Sequence, residues 1–446
     1  MGETGQNRYG LTTAVAMVVG IVIGSGVFFK AEAVMEVTGG DLKIGIAAWL
    51  IGGLVMLSCA YPFSVMAGMY GSGGGLVEYA RRTVGEVYGY YMGWFLTVIY
   101  YPTLTSVVAW AAARYICLLL GWEGSGICMT LAGFLLCVSF GVNALSPILA
   151  GRLQVGTTAL KLIPLLMMGL LGGAVGLRSG AFTEQVPFPA GGEPSSLFSA
   201  IAAVAFAYEG WMIAASIQGE LRDGRKNLPR ALMIGSFTVI FIYILYQIGL
   251  AGMLPEGGGS VEEAFSALLG KGGGKLLLLF VVLSCLGTLN GLMIGCSRSA
   301  YFLAERGRGP APELFSRVEP ETGMAVYSAV LGLLFCAGWL LYFYGAVLAE
   351  PGISLLRFDS SELPVISLYG MYLPIFFMLA VRGRGLSFWR RFGGTALGMI
   401  GCLFFIGAAV AAHGWDCLDY LLVFCAVMGV GSVFAGKKEI EKKEHL

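Results

Sequence analysis

The feature that most constrains this chain is a series of long apolar stretches, each near the ~20 residues a helix needs to cross a bilayer. Twelve candidates run from one end to the other, at about 11–35, 44–69, 86–113, 127–146, 154–177, 197–219, 230–254, 275–303, 324–348, 364–381, 394–412 and 416–435. The segments between them are short, the longest being about 178–196 and 304–323. Of the 446 residues, 57% are hydrophobic and 12% charged, about half the ~25% charge of a soluble domain. A water-soluble protein of this size would have too little polar surface to cover itself. The expected fold class is therefore an all-α integral membrane protein with twelve transmembrane helices.

Charge fixes an expected orientation. With the N-terminus inside, 19 lysines and arginines fall on the inner side and 7 on the outer, leaving Lys161 and Arg298 within spans. That bias fits the positive-inside rule, and an even number of spans puts both termini on the cytoplasmic side. The first apolar stretch lacks a basic leader and a small-residue cleavage site, so it reads as a span and not as a signal peptide. A net charge of +1 leaves no electrostatic footprint for nucleic acid. Two histidines in the whole chain argue against a histidine-built metal site and against a polytopic membrane enzyme. The ten cysteines are scattered through apolar runs and read as small apolar residues. No metal, no cofactor and no obligatory partner subunit is expected; the surroundings are the lipid bilayer.

Two spans carry an interruption. The first holds Gly20-Ile21-Val22-Ile23-Gly24-Ser25-Gly26-Val27-Phe28, and the sixth holds Phe206-Ala207-Tyr208-Glu209-Gly210-Trp211. Glycine costs about 1 kcal/mol per residue in a helix interior, so both are candidate points of unwinding. Unwinding frees N–H groups at the start of a half-helix, where the dipole favours an anion, and frees carbonyls that can accept from an ammonium. Together the two breaks could bind a zwitterion through backbone alone. Paired breaks at matching positions of two halves are the sequence mark of a secondary transporter.

Charges inside spans are expensive and imply a partner or a function. Lys161 lies about 13 Å in from Arg152 at the helical rise per residue, too deep for easy snorkelling. Glu209 is the one acid at mid-span, at the second break. Arg298 lies near the inner end of its span, within snorkelling reach, and is assigned to an inner gate.

The segments Gly20–Phe28 and Ala205–Trp211 resemble the helix 1 and helix 6 signatures of the amino acid–polyamine–organocation superfamily, in particular its L-type amino acid transporter branch and the bacterial exchangers related to it. The resemblance continues at Ser72-Gly73-Gly74 with Glu78-Tyr79, at Glu220 with Arg225-Lys226-Asn227-Leu228-Pro229-Arg230, and from Ser297-Arg298 to Pro310. Gly224 departs from it, since a proline is usual there. The resemblance implies a LeuT-type fold: a transport core over 11–381 with inverted repeats at about 11–177 and 197–381. Peripheral helices at 394–435 and short cytoplasmic ends at 1–10 and 436–446 complete it. It implies a plasma-membrane, sodium-independent transporter of neutral L-amino acids, either an exchanger or a proton symporter. Ile23, Gly24, Ser25, Gly26 and Val27 would surround the substrate carboxylate. Phe206, Ala207, Tyr208 and Glu209 would face the amine, with Phe206 as a gate. Lys161 would stand where sodium-coupled relatives hold an ion, tied to helix 1, as a fixed cation or a proton carrier. Glu209 keeps an alternative open, a carrier of cationic amino acids or polyamines.

Overall fold

The computed structural model describes residues 10–24, 26–70, 74–122, 124–145, 147–182, 195–254, 260–320, 322–348 and 358–436. Among them the regular structure is entirely helical. In chain order the elements are α1 (Leu11–Val22), α2 (Gly26–Val37), α3 (Leu42–Tyr70), α4 (Gly75–Thr83), α5 (Glu86–Leu120), α6 (Ser125–Leu145), α7 (Arg152–Ser179) and α8 (Ser195–Ala207). A 3-10 segment, Trp211–Glu220, follows. The rest are α9 (Gly224–Met253), α10 (Val261–Leu269), α11 (Gly273–Ala304), α12 (Pro312–Phe315), α13 (Val326–Ala346), α14 (Leu363–Arg382), α15 (Trp389–His413) and α16 (Asp416–Val433).

Ten of these helices are long and apolar enough to cross a bilayer, and α1 with α2 makes an eleventh, bent by 51° at the break. Helices are the expected solution, because hydrocarbon offers no partner to an unpaired N–H or C=O. The twelfth expected span, at 197–219, consists of two short pieces. Gly210 stands between them at φ +96°, a left-handed backbone that suits glycine and ends the α-helix. The sequence reading also left the segments around α4 and α10 as loops. Both are short helices, and α10 begins with a capping box in which Ser260 and Glu263 satisfy each other's backbone N–H groups.

Burial orders the bundle. About 78% of the most apolar stretch of α11 is buried, against 17% for α16, so α11 runs through the centre and α16 along the edge. Seven cysteines are buried, whereas Cys137 and Cys425 face outward among apolar neighbours.

The closest approach of two helices is a glycine seam between α7 and α9. A Cβ built on Gly249 would lie 2.1 Å from the Met168 carbonyl oxygen, and one on Gly252 would lie 2.5 Å from that of Gly172. Lipid does not drive helices together, so van der Waals contact between close backbones must supply the association. The face that carries α4 is held by charge. Glu78, nearly buried, accepts from Arg81 at 2.7 Å, Arg82 at 2.5 Å and Arg306 of the α11 end at 3.0 Å. Burial alone would raise the Glu78 carboxyl, but the hydrogen bonds from Arg81 and Arg82 and the charges of Arg81 and Arg306 outweigh it and hold it at about 2. Beside it, Tyr79 donates to Gln218, which donates to the Ala67 carbonyl and so joins α4, the 3-10 segment and α3.

Two outcomes follow from this packing. Gly249→Val should lower the thermal midpoint of the detergent-solubilised protein through overpacking of about 1–3 kcal/mol, whereas Gly407→Val, which has open space around its Cβ, should not. A carboxyl held below its unfolded value stabilises the fold above that unfolded value, and the gain is lost as pH falls toward about 2. Acid unfolding of wild type should therefore be steeper below about pH 4.5 than that of Glu78→Gln, read by tryptophan fluorescence.

Candidate substrate site

The two interruptions meet. A cavity lies where α1 gives way to α2 and α8 to the 3-10 segment, lined by Gly24 and Gly26 on one side and Ala207, Glu209 and Gly210 on the other. Leu104 and Val108 of α5 and Thr288 and Leu292 of α11 complete the wall, with Ile21 and Val22. Its free volume is ≈ 30 Å³, room for about two water molecules and too small for an amino acid. A zwitterion could enter only if the walls part.

The freed carbonyls have partners. The last carbonyls of a helix lack intrahelical donors, and here other helices supply them. Lys161 of α7 donates to the Gly20 carbonyl at 2.5 Å and to Thr288 Oγ1 at 2.8 Å, and Thr288 in turn reaches the Ile23 carbonyl at 3.3 Å. Lys161 is fully buried, and both partners are neutral oxygens. From α9, the Tyr243 hydroxyl lies 3.1 Å from the Val22 carbonyl and 2.9 Å from that of Ala207. One hydroxyl therefore touches the end of α1 and the end of α8.

Glu209 receives the Tyr100 hydroxyl of α5 on Oε2 at 2.5 Å, while its Oε1 is buried and makes no hydrogen bond. Tyr369 and Tyr372 of α14 stand beside the same carboxylate.

Of the residues expected around a substrate, Gly24, Gly26, Ala207 and Glu209 line this cavity. Ile23 and Val27 are buried beside it without lining it. Tyr208 turns away, packing on Trp49 and Tyr243 and donating to the Trp49 carbonyl at 2.7 Å. Ser25 and the Phe206 side chain lie outside the described residues. Lys161 stands behind the wall and reaches it through Thr288. Sequence reasoning missed Leu104, Val108, Thr288, Leu292, Tyr100 and Tyr243. Tyr100, Thr288 and Tyr243 are polar groups within apolar stretches, which marks them as candidates without saying whom they meet.

A Cβ on Gly24 would lie 2.9 Å from Thr288 Oγ1, the oxygen that holds Lys161. Gly24→Val should therefore leave a folded, membrane-inserted protein whose uptake is at least about tenfold reduced, near the ~1.4 kcal/mol that separates tenfold steps in an equilibrium. Gly26→Leu, which fills the cavity itself, should behave alike when uptake and monodispersity are compared with wild type.

The chain matches the family model described as amino acid permease over residues 9–415. It is 31% identical over 396 residues to the serine/threonine exchanger SteT of Bacillus subtilis (strain 168), covering 85% of each chain. To the human large neutral amino acids transporter small subunit 2 it is 27% identical over 401 residues, 84% of this chain and 74% of the relative. To the mouse Asc-type amino acid transporter 1 it is 27% identical over 322 residues, 69% and 60% of the two chains. A buried cavity at two broken helices, in an all-helical membrane protein whose match to the model runs nearly end to end, therefore belongs to a transporter: the chain is a member of the amino acid permease family.

Proposed function

We propose that this permease is a sodium-independent carrier of neutral L-amino acids that works by alternating access. Exchange is favoured over proton symport because a relative covering most of its length is named an exchanger. The observation that carries the reading is the cavity between the breaks, where backbone from α1–α2 faces backbone from α8 and the 3-10 segment. The substrate carboxylate would meet the N–H groups at the start of α2, and its ammonium the carbonyls at the end of α8. Phe206 would close over the side chain. The protein would sit in the plasma membrane as a LeuT-type 5+5 repeat, with α8 and the 3-10 segment as its broken sixth span. The α4 face would be cytoplasmic, the α10 face outer, and no second subunit obligatory.

Lys161 supports sodium independence. Its ammonium occupies the space between α1, α7 and α11 where a coupling cation would need oxygen ligands. Two unit charges 4 Å apart repel by about 4 kcal/mol at an effective dielectric of 20.

The second reading rests on Glu209, a carboxylate on the cavity wall with one oxygen unused. It suits a cationic substrate or a carried proton.

The deciding experiment is uptake of a radiolabelled amino acid panel into proteoliposomes, with and without internal substrate. Neutral amino acids should enter, internal substrate should stimulate, and replacing sodium by choline should change nothing. Lys161→Ala should be severely impaired, since the Gly20 carbonyl and Thr288 lose their donor. Preference for lysine, arginine or polyamines, lost in Glu209→Gln, would move the assignment to the second reading. Sodium stimulation of wild type would remove the role given to Lys161.

A further inference from the structure

On the face opposite α4, three elements meet at one carboxylate. Glu362, the residue that precedes α14, pairs through Oε1 with Lys30 of α2 and through Oε2 with His413, the last residue of α15, at 2.9 Å. The side chains are 14%, 17% and 17% exposed for Lys30, Glu362 and His413, so water screens the cluster little. The groups acting on the imidazole are Glu362, Asp359 of the segment before α14, and Asp416 at the start of α16, with Lys30 across the shared carboxylate.

The element held here matters for access. α2 begins at Gly26 on the cavity wall and ends near this face. Glu32 pins it a second time, accepting from the Val261 N–H of α10 at 2.8 Å. Moving α2 away from α14 and α15 would separate Lys30 from Glu362 and leave two partly buried charges unpaired, which is costly. By contrast, α14 and α15 could keep their Glu362–His413 contact through such a motion.

We propose that Glu362 is a positioning residue for transport: by bridging Lys30 and His413 it latches α2 against α14 and α15 and sets how readily the cavity opens on this face. That this face is the outer one rests on the orientation given under Proposed function; the latch itself does not. Protonated His413 places a second positive charge on the carboxylate, whereas neutral His413 keeps only a hydrogen bond. The latch is therefore tighter at low pH and looser at high pH, over the range in which histidine titrates.

The test uses the full chain in lipid nanodiscs and reads amide hydrogen exchange by mass spectrometry. Relative to α7 in the same sample, α2 should exchange at least about threefold faster in Glu362→Gln and in Lys30→Met, as expected when a local opening is made easier. The double variant should be no faster than Glu362→Gln alone, because both changes break one contact. The protection factor of α2 should fall between about pH 5.5 and 7.5 in wild type and stay level in His413→Gln. Unchanged α2 exchange in Lys30→Met, with α7 protection intact, would overturn the latch, and this variant decides if Glu362→Gln loses protection throughout. A wild-type protection factor that is flat over that range would remove His413 from it.

In proteoliposomes with L-serine as probe, Glu362→Gln should lower KM on the α10 side and raise it on the α4 side, since apparent affinity follows the fraction of open state. Equal changes on both sides would assign Glu362 to general stability and overturn its part in access. Failure of wild type to move any amino acid would sink the proposed function and leave the exchange measurement to decide the latch.

Discussion

Carbonyl groups without donors in hydrocarbon are what the rest of this structure is arranged around. Each such group costs several kcal/mol, and two broken spans release them in the middle of the bundle. Three side chains answer from three different helices: Lys161 from α7, Tyr243 from α9 and Thr288 from α11. None of the three is near either break in the chain. The breaks are therefore stable only after α7, α9 and α11 have packed around them, and site and fold depend on one another.

The same arithmetic explains the packing. Lys161 can reach the Gly20 carbonyl because α7 lies close to α1, where a Cβ on Gly20 would lie 1.9 Å from Thr158 Oγ1. On its other side α7 meets α9 through the seam at Gly249 and Gly252. Glycines thus do two kinds of work in this chain. Gly210 supplies a backbone angle, whereas Gly20, Gly249 and Gly252 supply closeness. Close approach in turn brings a lysine on one helix to a carbonyl on another.

Full charges sit where they can be paired. Glu78 gathers Arg81, Arg82 and Arg306 on one face, and Glu362 gathers Lys30 and His413 on the other. Between them lie Lys161, solvated by neutral oxygens, and Glu209, held by one tyrosine. A cavity with polar backbone walls, flanked by two charge clusters at opposite faces, is the arrangement a two-sided gate requires.

The sequence by itself determined the class of the molecule and much of the location of its cavity. Spans were legible because a bilayer demands a fixed apolar length, and both breaks because glycine and an isolated charge stand out against such a length. The ends of α3, α9 and α11 fall within a few residues of the expected ones, apart from the inner end of α9, whose amphipathic start at Gly224 has no apolar signal. Tertiary structure decided everything that depends on which helices touch. Tyr208, at the centre of a break, packs away from the cavity, while Tyr100, Thr288 and Tyr243, in unmarked apolar runs, turn toward the breaks. Lys30, Glu362 and His413 read as ordinary charges near span ends until the fold brings 332 residues of separation to contact. Apolar periodicity records that a helix faces protein or lipid, but not which neighbour it faces, because every apolar neighbour satisfies it equally; partners are chosen by close packing and by polar groups that must be paired.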